Sequence, residues 1–397
     1  MNSAVPEKTP FSLYLHFPFC RHKCGYCGFY SEAAAPDEYL TELYLKALEK
    51  EFKHSREMIF HGNYSSVYIG GGNPGLFSLK GLNSLSGIVR PYTDNCEWTI
   101  EANPENITEN FLKTCEENGI NRLSMGIQTL DNRLLRKLGR NGSREMSLKA
   151  LDNVDKFWNG KVNVDLMYGL PDEKDYNLKD TFRRIIDYNP GHISVYCLTL
   201  EENTPLYKRL NGFIDREGEE DNWALIKGIL FTAGYSRYEI SNFCRSGNEC
   251  SHNLSYWDLT PYVALGPSAV SMFKSGEQAV RSTGIFDIKK YLSDPLGTGE
   301  TEVIGFKDLM KDYLLMNLRK SGGFLSHVFT DIFHNDFGNL FPETIGRFKR
   351  YFIIDSSSVR LNDEGLDILN TVLVSLFSEM DNVFFDKEVH SWPLGSS

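Results

Sequence analysis

The chain has 397 residues, and 42 lysines and arginines against 53 aspartates and glutamates give it a formal net charge of −11. This length suggests two or three domains of roughly 150 residues, and the negative charge disfavours nucleic acid as a partner because phosphates attract basic surfaces. We expect no transmembrane segment and no signal peptide, and eight cysteines without a regular disulfide framework predict a cytoplasmic protein.

Residues 12 to about 240 alternate short β-rich runs with longer helical patterns. Leu13–Phe17 alternates with period two, and the stretch after Pro36 repeats apolar residues at the spacing of one helix face. Further strand candidates lie at residues 67–69, 98–100, 123–127, 162–167 and 193–198. Six alternating βα units predict an α/β fold with a partial (β/α)6 TIM-like barrel. Such a barrel collects its chemistry at the carboxyl ends of its strands.

The pattern changes after about residue 240. We predict a barrel over residues 1–240, a connecting segment over 241–299 that ends in a linker at 293–299, and a smaller, mainly helical domain over 300–397. Two short apolar runs at 352–354 and 359–361 predict a hairpin, so this last domain resembles a winged helix. The acidic balance argues against DNA as its partner. Residues 393–397 are expected to be loose.

Three cysteines, Cys20, Cys24 and Cys27, follow the first strand candidate with the spacing C-x3-C-x2-C. An iron–sulfur cube normally takes four thiolates, so three leave one iron open to bind a small molecule. The alternative is a zinc site completed by His16 or His22. Zinc is disfavoured because zinc sites usually pair two C-x-x-C motifs.

Polar or small residues recur where the predicted strands end. Gly70–Gly72 follows the second strand, where missing side chains let a ligand approach the backbone. Glu101 and Gln128 end the third and fourth strands, and Asp165 lies within the fifth. Each of these side chains could instead serve a hydrogen-bond network between strands. Arg140 could bind a carboxylate in bidentate fashion.

Five motifs together resemble the oxygen-independent coproporphyrinogen III oxidase family of the radical S-adenosylmethionine (SAM) superfamily. They are Leu13-Tyr-Leu-His-Phe-Pro-Phe-Cys20, Gly70-Gly-Gly-Asn-Pro74, Ile100-Glu-Ala-Asn-Pro104, Leu123-Ser-Met-Gly-Ile-Gln128 and Asp165-Leu-Met-Tyr-Gly-Leu-Pro171. The resemblance implies a radical SAM barrel with a [4Fe-4S] cluster on the three cysteines. It also implies that the SAM site is lined by Tyr14, Gly71, Gly72, Asn73, Glu101, Gln128, Arg140, Asp165 and Thr199. Asn73 departs from the threonine usual in the family.

Within this family the chain resembles the heme chaperone HemW branch. The oxidases carry a further cysteine where this chain has Phe29, and a long extension before the first strand, where this chain has about a dozen residues. The block from Cys250 to Trp257 is similar to the branch's H-N-x-x-Y-W signature, which is associated with heme. His252 can then be an axial ligand, with Tyr256 and Trp257 against the porphyrin. The alternative for His252 is an internally satisfied core residue.

The resemblance therefore predicts a heme chaperone that binds a [4Fe-4S] cluster, SAM and heme, and that delivers heme to acceptor proteins. The alternative is an enzyme, a coproporphyrinogen dehydrogenase that oxidatively decarboxylates coproporphyrinogen III. Modification of RNA is disfavoured by the net charge. Whether the chain turns SAM over, and whether it forms a homodimer, is left open by the sequence.

Overall fold

The computed structural model of the protein describes residues 10–275 and 278–381. The segment 393–397, which we expected to be loose, lies outside the described residues, as does the rest of the chain after residue 381. None of the helices in the described part is both long enough and apolar enough to cross a membrane.

The first half of the described chain alternates strands with helices that begin at side-chain caps. Helix α1, for example, begins after Asp37, whose carboxylate accepts the N–H of Leu40, and it buries Tyr44, Leu48 and Phe52 against the sheet. In chain order the elements are β1 (Ser12–Phe17), β2 (Phe19–Cys20), β3 (Glu32–Ala33), α1 (Glu38–Met58), β4 (Tyr64–Gly71), α2 (Leu79–Val89), β5 (Thr93–Ala102), α3 (Glu109–Glu117), β6 (Arg122–Gln128), α4 (Asn132–Lys137), α5 (Arg144–Phe157), β7 (Lys161–Tyr168), α6 (Asp175–Asp187) and β8 (His192–Cys197).

Six of these strands form the partial barrel that the sequence predicts. They run parallel in the order β1-β4-β5-β6-β7-β8, and each predicted strand overlaps one of them. Apolar side chains from these strands and from the surrounding helices form one large core. The predicted α/β fold class with a partial (β/α)6 barrel is confirmed, and the carboxyl ends of all six strands share one rim.

The middle of the chain extends this sheet at both edges. Strand β10 pairs antiparallel with β8, whereas β11 pairs parallel with β1. The segment that we expected only to connect two domains therefore belongs to the barrel sheet, and the expected linker at 293–299 spans a turn between a helix and a strand. The elements are α7 (Pro205–Arg209), α8 (Glu219–Thr232), β9 (Ser236–Arg237), β10 (Asn242–Cys244), α9 (Ser251–Trp257), β11 (Tyr262–Leu265), β12 (Val270–Ser275), β13 (Gln278–Gly284), α10 (Ile288–Ser293) and β14 (Thr298–Ile304).

The C-terminal part is mainly helical and has its own core, rich in phenylalanine. The predicted hairpin is present as β16 and β17, paired antiparallel, and Asp355 stabilises its turn by accepting the N–H groups of Ser357 and Ser358 at 2.8 and 2.9 Å. The elements are α11 (Phe306–Asn317), β15 (Phe324–Leu325), α12 (Ser326–Phe333), α13 (Phe337–Leu340), α14 (Pro342–Arg347), β16 (Phe352–Ile354), β17 (Ser358–Leu361), α15 (Asp363–Asp367) and α16 (Leu369–Met380).

An ion-pair clasp joins this part to the barrel. Arg237 of β9 and Lys227 of α8 both contact the two carboxylates of α15, Asp363 and Asp367, at distances between 2.6 and 3.1 Å. The indole of Trp223 donates to Asp367 at 2.7 Å. Because the Arg237 side chain is only 4% exposed, water screens its pairs poorly. The clasp therefore fixes α15 against the barrel.

We predict that Arg237→Ala lowers the free energy of unfolding by about 3 kcal/mol, because it removes the buried cation of the clasp and leaves Lys227 to balance both carboxylates. Denaturant titration followed by circular dichroism measures the change. The matched control is Lys113→Ala, which removes an exposed pair with Glu109 and is expected to have almost no effect. Equal loss of stability in the two variants would contradict the clasp.

Candidate functional site

The loop that carries the three cysteines is fastened to the carboxyl end of its neighbouring strand. The N–H groups of Gly72 and Asn73, just after β4, donate to the carbonyl oxygens of Phe17 and Phe19, each at 2.8 Å. On its other side the loop is bonded through Gly25, whose N–H donates to Leu138 O at 2.8 Å. The cysteine loop therefore sits on the rim where the six parallel strands end.

The glycine run is explained by the close approach of this loop. A Cβ atom on Gly72 would lie 2.3 Å from the carbonyl oxygen of Phe19, and Gly71 has a φ of +110°, which favours glycine. We expected the missing side chains to admit a ligand. The nearest neighbour of Gly72 is instead the protein's own backbone, so the first role of this glycine is to let the cysteine loop pack on β4.

A cavity of about 630 Å3 opens at this rim. The three cysteines line it, and so do all of the predicted SAM-site residues except Tyr14, namely Gly71, Gly72, Asn73, Glu101, Gln128, Arg140, Asp165 and Thr199. The sequence reasoning missed Asn103, Ser124, Tyr196 and Glu201, which also line it. Ser124 was detectable, since it precedes Gly126 and Gln128 by two and four residues on β6 and so shares their face.

Arg140 has a different role from the one predicted. Its Nη2 donates to Asn103 Oδ1 at 2.9 Å and to Gly126 O, and its Nη1 contacts Cys24 Sγ at 3.6 Å. Burial by itself lowers the pKa of the guanidinium, but attraction from Tyr26 and Cys24 outweighs burial and raises that pKa above its usual range. Arg140 is thus a permanent cation beside the thiols, with its donors already engaged.

The surroundings of Cys20 and Cys27 favour the protonated thiols, so a metal group binds there only if the thiol protons are lost. Burial is the largest cause that raises the pKa of Cys20 and of Cys27, and the charge of Arg140 opposes it. A metal group must therefore displace the thiol protons to bind. Within the described residues, no three His, Cys, Asp or Glu side chains converge on a single metal ion.

The two histidines of the zinc alternative make other contacts. His16 is hydrogen-bonded to the Tyr14 hydroxyl at 3.1 Å and to the carbonyl oxygen of Tyr30 at 2.9 Å. His22 Nε2 donates to the carbonyl oxygen of Gly139 at 3.1 Å. Both ring nitrogens of His16 are engaged, which disfavours His16 as a zinc ligand, whereas the contact of His22 uses Nε2 alone.

Two half-buried carboxyl groups face the cavity. Glu101 accepts from the Tyr68 hydroxyl at 2.7 Å and from the N–H of Gly71 at 3.2 Å. Burial, aided by the charge of Asp165, raises the pKa of Glu101 to about 7. Asp165 accepts from Ser124 at 3.1 Å, and burial raises its pKa as well. A cationic ligand would stabilise the charged form of both groups.

Two further lining residues, Gln128 and Asn73, are held by the local backbone and by neighbouring side chains respectively. Gln128 has a φ of +70° at a register shift between β6 and β7, and a non-glycine residue in this region is strained. Asn73 donates to Asn106 Oδ1 at 2.8 Å and accepts the N–H of Asn103 at 3.2 Å. Asn73 therefore joins two rim loops, which a threonine is too short to do in the same way.

The predicted heme residues lie at the opposite end of the barrel. His252 of α9 is 1% exposed and is hydrogen-bonded to Ser66 Oγ at 2.9 Å, close to the amino end of β4. Its Nε2 is bonded to the Tyr256 hydroxyl at 3.0 Å, and Trp257 lies under the guanidinium of Arg319. Tyr14 lies inside the barrel, between the two ends, with its ring 6.5 Å from that of His252.

Comparison with known proteins agrees with this arrangement. Residues 14–185 match the Radical SAM superfamily, a domain that implies a [4Fe-4S] cluster and SAM. The solved structure of coproporphyrinogen III oxidase (HemN) from Escherichia coli has the same fold, with a TM-score of 0.78 and 21% identity over 94% of this chain and 91% of that one.

Two curated relatives identify the branch. The heme chaperone HemW of Buchnera aphidicola subsp. Schizaphis graminum is 37% identical over 272 residues, which cover 66% of this chain and 69% of that protein. The heme chaperone HemW of Bacillus subtilis is 27% identical over 386 residues, covering 93% of this chain and all of that protein. The chain therefore belongs to the heme chaperone HemW family, within the Radical SAM superfamily.

Proposed function

We propose that the protein is a heme chaperone, which binds a [4Fe-4S] cluster, SAM and heme and passes the heme to acceptor proteins. The observation that carries this proposal is the state of His252, whose Nε2 is hydrogen-bonded to a tyrosine hydroxyl on the helix that carries the family's heme signature. The acceptors are proteins that bind heme and whose identity the chain does not reveal. A reducing compartment such as the cytoplasm suits eight cysteines of which none forms a disulfide among the described residues.

The proposed cofactors fit the cavity at the rim. Its volume of about 630 Å3 falls in the range of roughly 300–1,000 Å3 typical of small-molecule sites. Cys20, Cys24 and Cys27 would hold the cluster, and Arg140 would balance the negative charge of their thiolates. When bound, the cluster supplies an open iron for the amino and carboxylate groups of SAM. Glu101 and Asp165 would balance the positive charge of SAM.

We predict that Cys24→Ala abolishes the brown chromophore and the bound iron after anaerobic reconstitution, because too few thiolates remain to hold a cluster. Iron and sulfide analysis with absorption spectroscopy measures this loss. Cys197→Ala is the matched control, since Cys197 contacts Arg216 at 3.0 Å rather than the other cysteines. Full iron and sulfide content in Cys24→Ala would refute the assignment.

We predict that SAM binding strengthens about tenfold between pH 6 and pH 8. The reason is that Glu101, with its pKa raised to about 7, is mostly protonated at pH 6 and mostly charged at pH 8, and only the charged form attracts a cation. Anaerobic calorimetry of the reconstituted protein measures the affinity at each pH.

Glu101→Gln should remove most of this pH dependence. The control is Glu173→Gln, because burial also raises the pKa of Glu173 to about 7 but Glu173 accepts from the N–H of Gly169, outside the cavity lining. A SAM affinity that is flat with pH in the wild type would show that Glu101 does not face the cationic groups.

The protonation of His252 follows from its partners. Because Ser66 donates its own proton to Ser12 Oγ at 2.8 Å, Ser66 accepts the Nδ1–H of His252. The Nε2 lone pair then accepts the Tyr256 O–H. Burial lowers the pKa of His252 to about 3, so the imidazole stays neutral at physiological pH. A neutral Nε2 with its Nδ1–H fixed by a second group is the form that binds iron. The Tyr256 hydroxyl, which occupies Nε2, has to move away before iron can bind.

We predict that His252→Ala abolishes the Soret shift seen on titration with hemin, because the axial ligand is lost. Tyr256→Phe keeps the aromatic ring but removes the competing hydroxyl, and it should bind hemin at least as tightly as the wild type and faster. Stopped-flow absorption measures both the rate and the affinity. An unchanged titration of His252→Ala would leave His252 as a core residue.

The oxidase remains the alternative function, and the charges at the rim count against it. The charged side chains that line the cavity are Lys23, Glu101, Arg140, Asp165 and Glu201, so carboxylates outnumber cations. Arg140 is engaged as described, and Lys23 donates to Phe29 O at 2.9 Å. The cavity lining would therefore attract a substrate with four carboxylates only weakly. An anaerobic assay with dithionite, SAM and coproporphyrinogen III decides, since protoporphyrinogen IX formed over many turnovers would overturn the chaperone proposal.

A further inference from the structure

Two hydrogen-bond donors without acceptors lie together beside the heme signature. Trp257 ends α9, and the guanidinium carbon of Arg319, which follows α11, lies 5.0 Å from the centre of its indole ring. Both Trp257 Nε1 and Arg319 Nε are buried, and neither has a hydrogen-bond partner in the described part of the chain. Because an unpaired buried donor costs roughly 1–3 kcal/mol, two adjacent ones are unusual in a native structure.

The neighbouring carboxyl groups do not satisfy Arg319. Asp258 is paired with Lys320. Glu239 accepts the N–H of Ser241 at 3.1 Å, and burial raises its pKa to about 7, so it carries only part of a negative charge near neutrality. Burial lowers the pKa of Arg319, and attraction from Glu239 opposes this effect only in part. The guanidinium thus lacks a full counter-charge.

The backbone holds Arg319 in place before any ligand arrives. Residue 320 pairs with Glu239 in an isolated antiparallel bridge, and the N–H of Ser321 donates to the carbonyl oxygen of Tyr238 at 3.0 Å. The backbone beside Arg319 is thus fixed, and its guanidinium is stacked on Trp257, so less ordering entropy is lost when it binds a ligand.

We propose that Arg319 and Trp257 together form a carboxylate subsite for the ligand held at α9. The inference rests on the proposed function, in which that ligand is heme and the carboxylate is one of its propionates. Arginine and an indole N–H both donate to a carboxylate, and the indole ring offers an apolar face to a flat macrocycle. Trp257 directly follows Tyr256, whose hydroxyl covers His252 Nε2, so this part of the subsite lies on the same helix as the proposed iron ligand. Tyr256, Trp257 and Arg319 are each half-buried, in contrast with His252.

The test compares hemin with hemin dimethyl ester, which lacks both charged carboxylates, on the full chain. Soret titration of the wild type should give an affinity about tenfold higher for hemin, the loss expected when a hydrogen-bonded charge is removed. Arg319→Gln should weaken hemin binding by about tenfold, leave the ester unaffected, and so abolish the preference. Arg319→Lys, which keeps the charge without the planar fork, should fall between the two.

The control is Arg245→Gln, since Arg245 is likewise stacked on an aromatic ring, that of Tyr235 at 4.5 Å, and its buried Nε also has no partner among the described residues. Arg245→Gln should keep the preference for hemin. If the wild type binds hemin and its ester equally, or if Arg319→Gln keeps the preference, the subsite is wrong although the chaperone proposal stands. If the wild type binds neither compound, the proposed function itself fails. The comparison of ligands on the wild type needs no variant to fold.

Discussion

The contact between the cysteine loop and the end of β4 is the constraint on which the rim depends. Two backbone hydrogen bonds of 2.8 Å join Gly72 and Asn73 to Phe17 and Phe19. The space between these two segments has no room for a Cβ atom on Gly72. The parallel register of β1 and β4 sets both strand ends at the same height. As a result, the thiols and the polar ends of β5, β6 and β7 face one cavity, although they are spread along the chain from Cys20 to Asp165.

Arg140 places a positive charge beside the thiols in this cavity. Its guanidinium lies beside the thiols and is held by Asn103 and Gly126, while the half-buried carboxyl groups Glu101 and Asp165 line the same cavity. Cation and carboxyl groups are thus separated rather than paired, since Arg140 forms no ion pair with either of them among the described contacts. An anionic group such as a thiolate-bound cluster is stabilised on one side, and a cationic ligand on the other.

The barrel and its rim were predictable from sequence because they follow local rules. Period-two runs and helix faces located all six parallel strands, and the strand ends located Glu101, Gln128 and Asp165 at the rim. The features that the sequence did not predict depend on contacts between residues that are distant in sequence. The four-residue strand β11 is too short to stand out, and its place beside β1 comes from pairing across more than 240 residues. Likewise, the sequence could not show that Arg140 donates hydrogen bonds to Asn103 and Gly126, or that His252 faces the inside of the barrel.

The interior of the barrel limits where a ligand of His252 can lie. The hydroxyl of Tyr68 donates to Glu101 at the rim, and the ring of the same residue lies 5.1 Å from that of His252. Tyr14 packs beside both rings, so one aromatic layer fills the space between the two ends. A macrocycle cannot enter this close-packed layer without unpacking it. In the proposed complex, iron would therefore reach Nε2 from the side of Tyr256, where the chain is half-buried, and the porphyrin would lie outside the barrel, against α9.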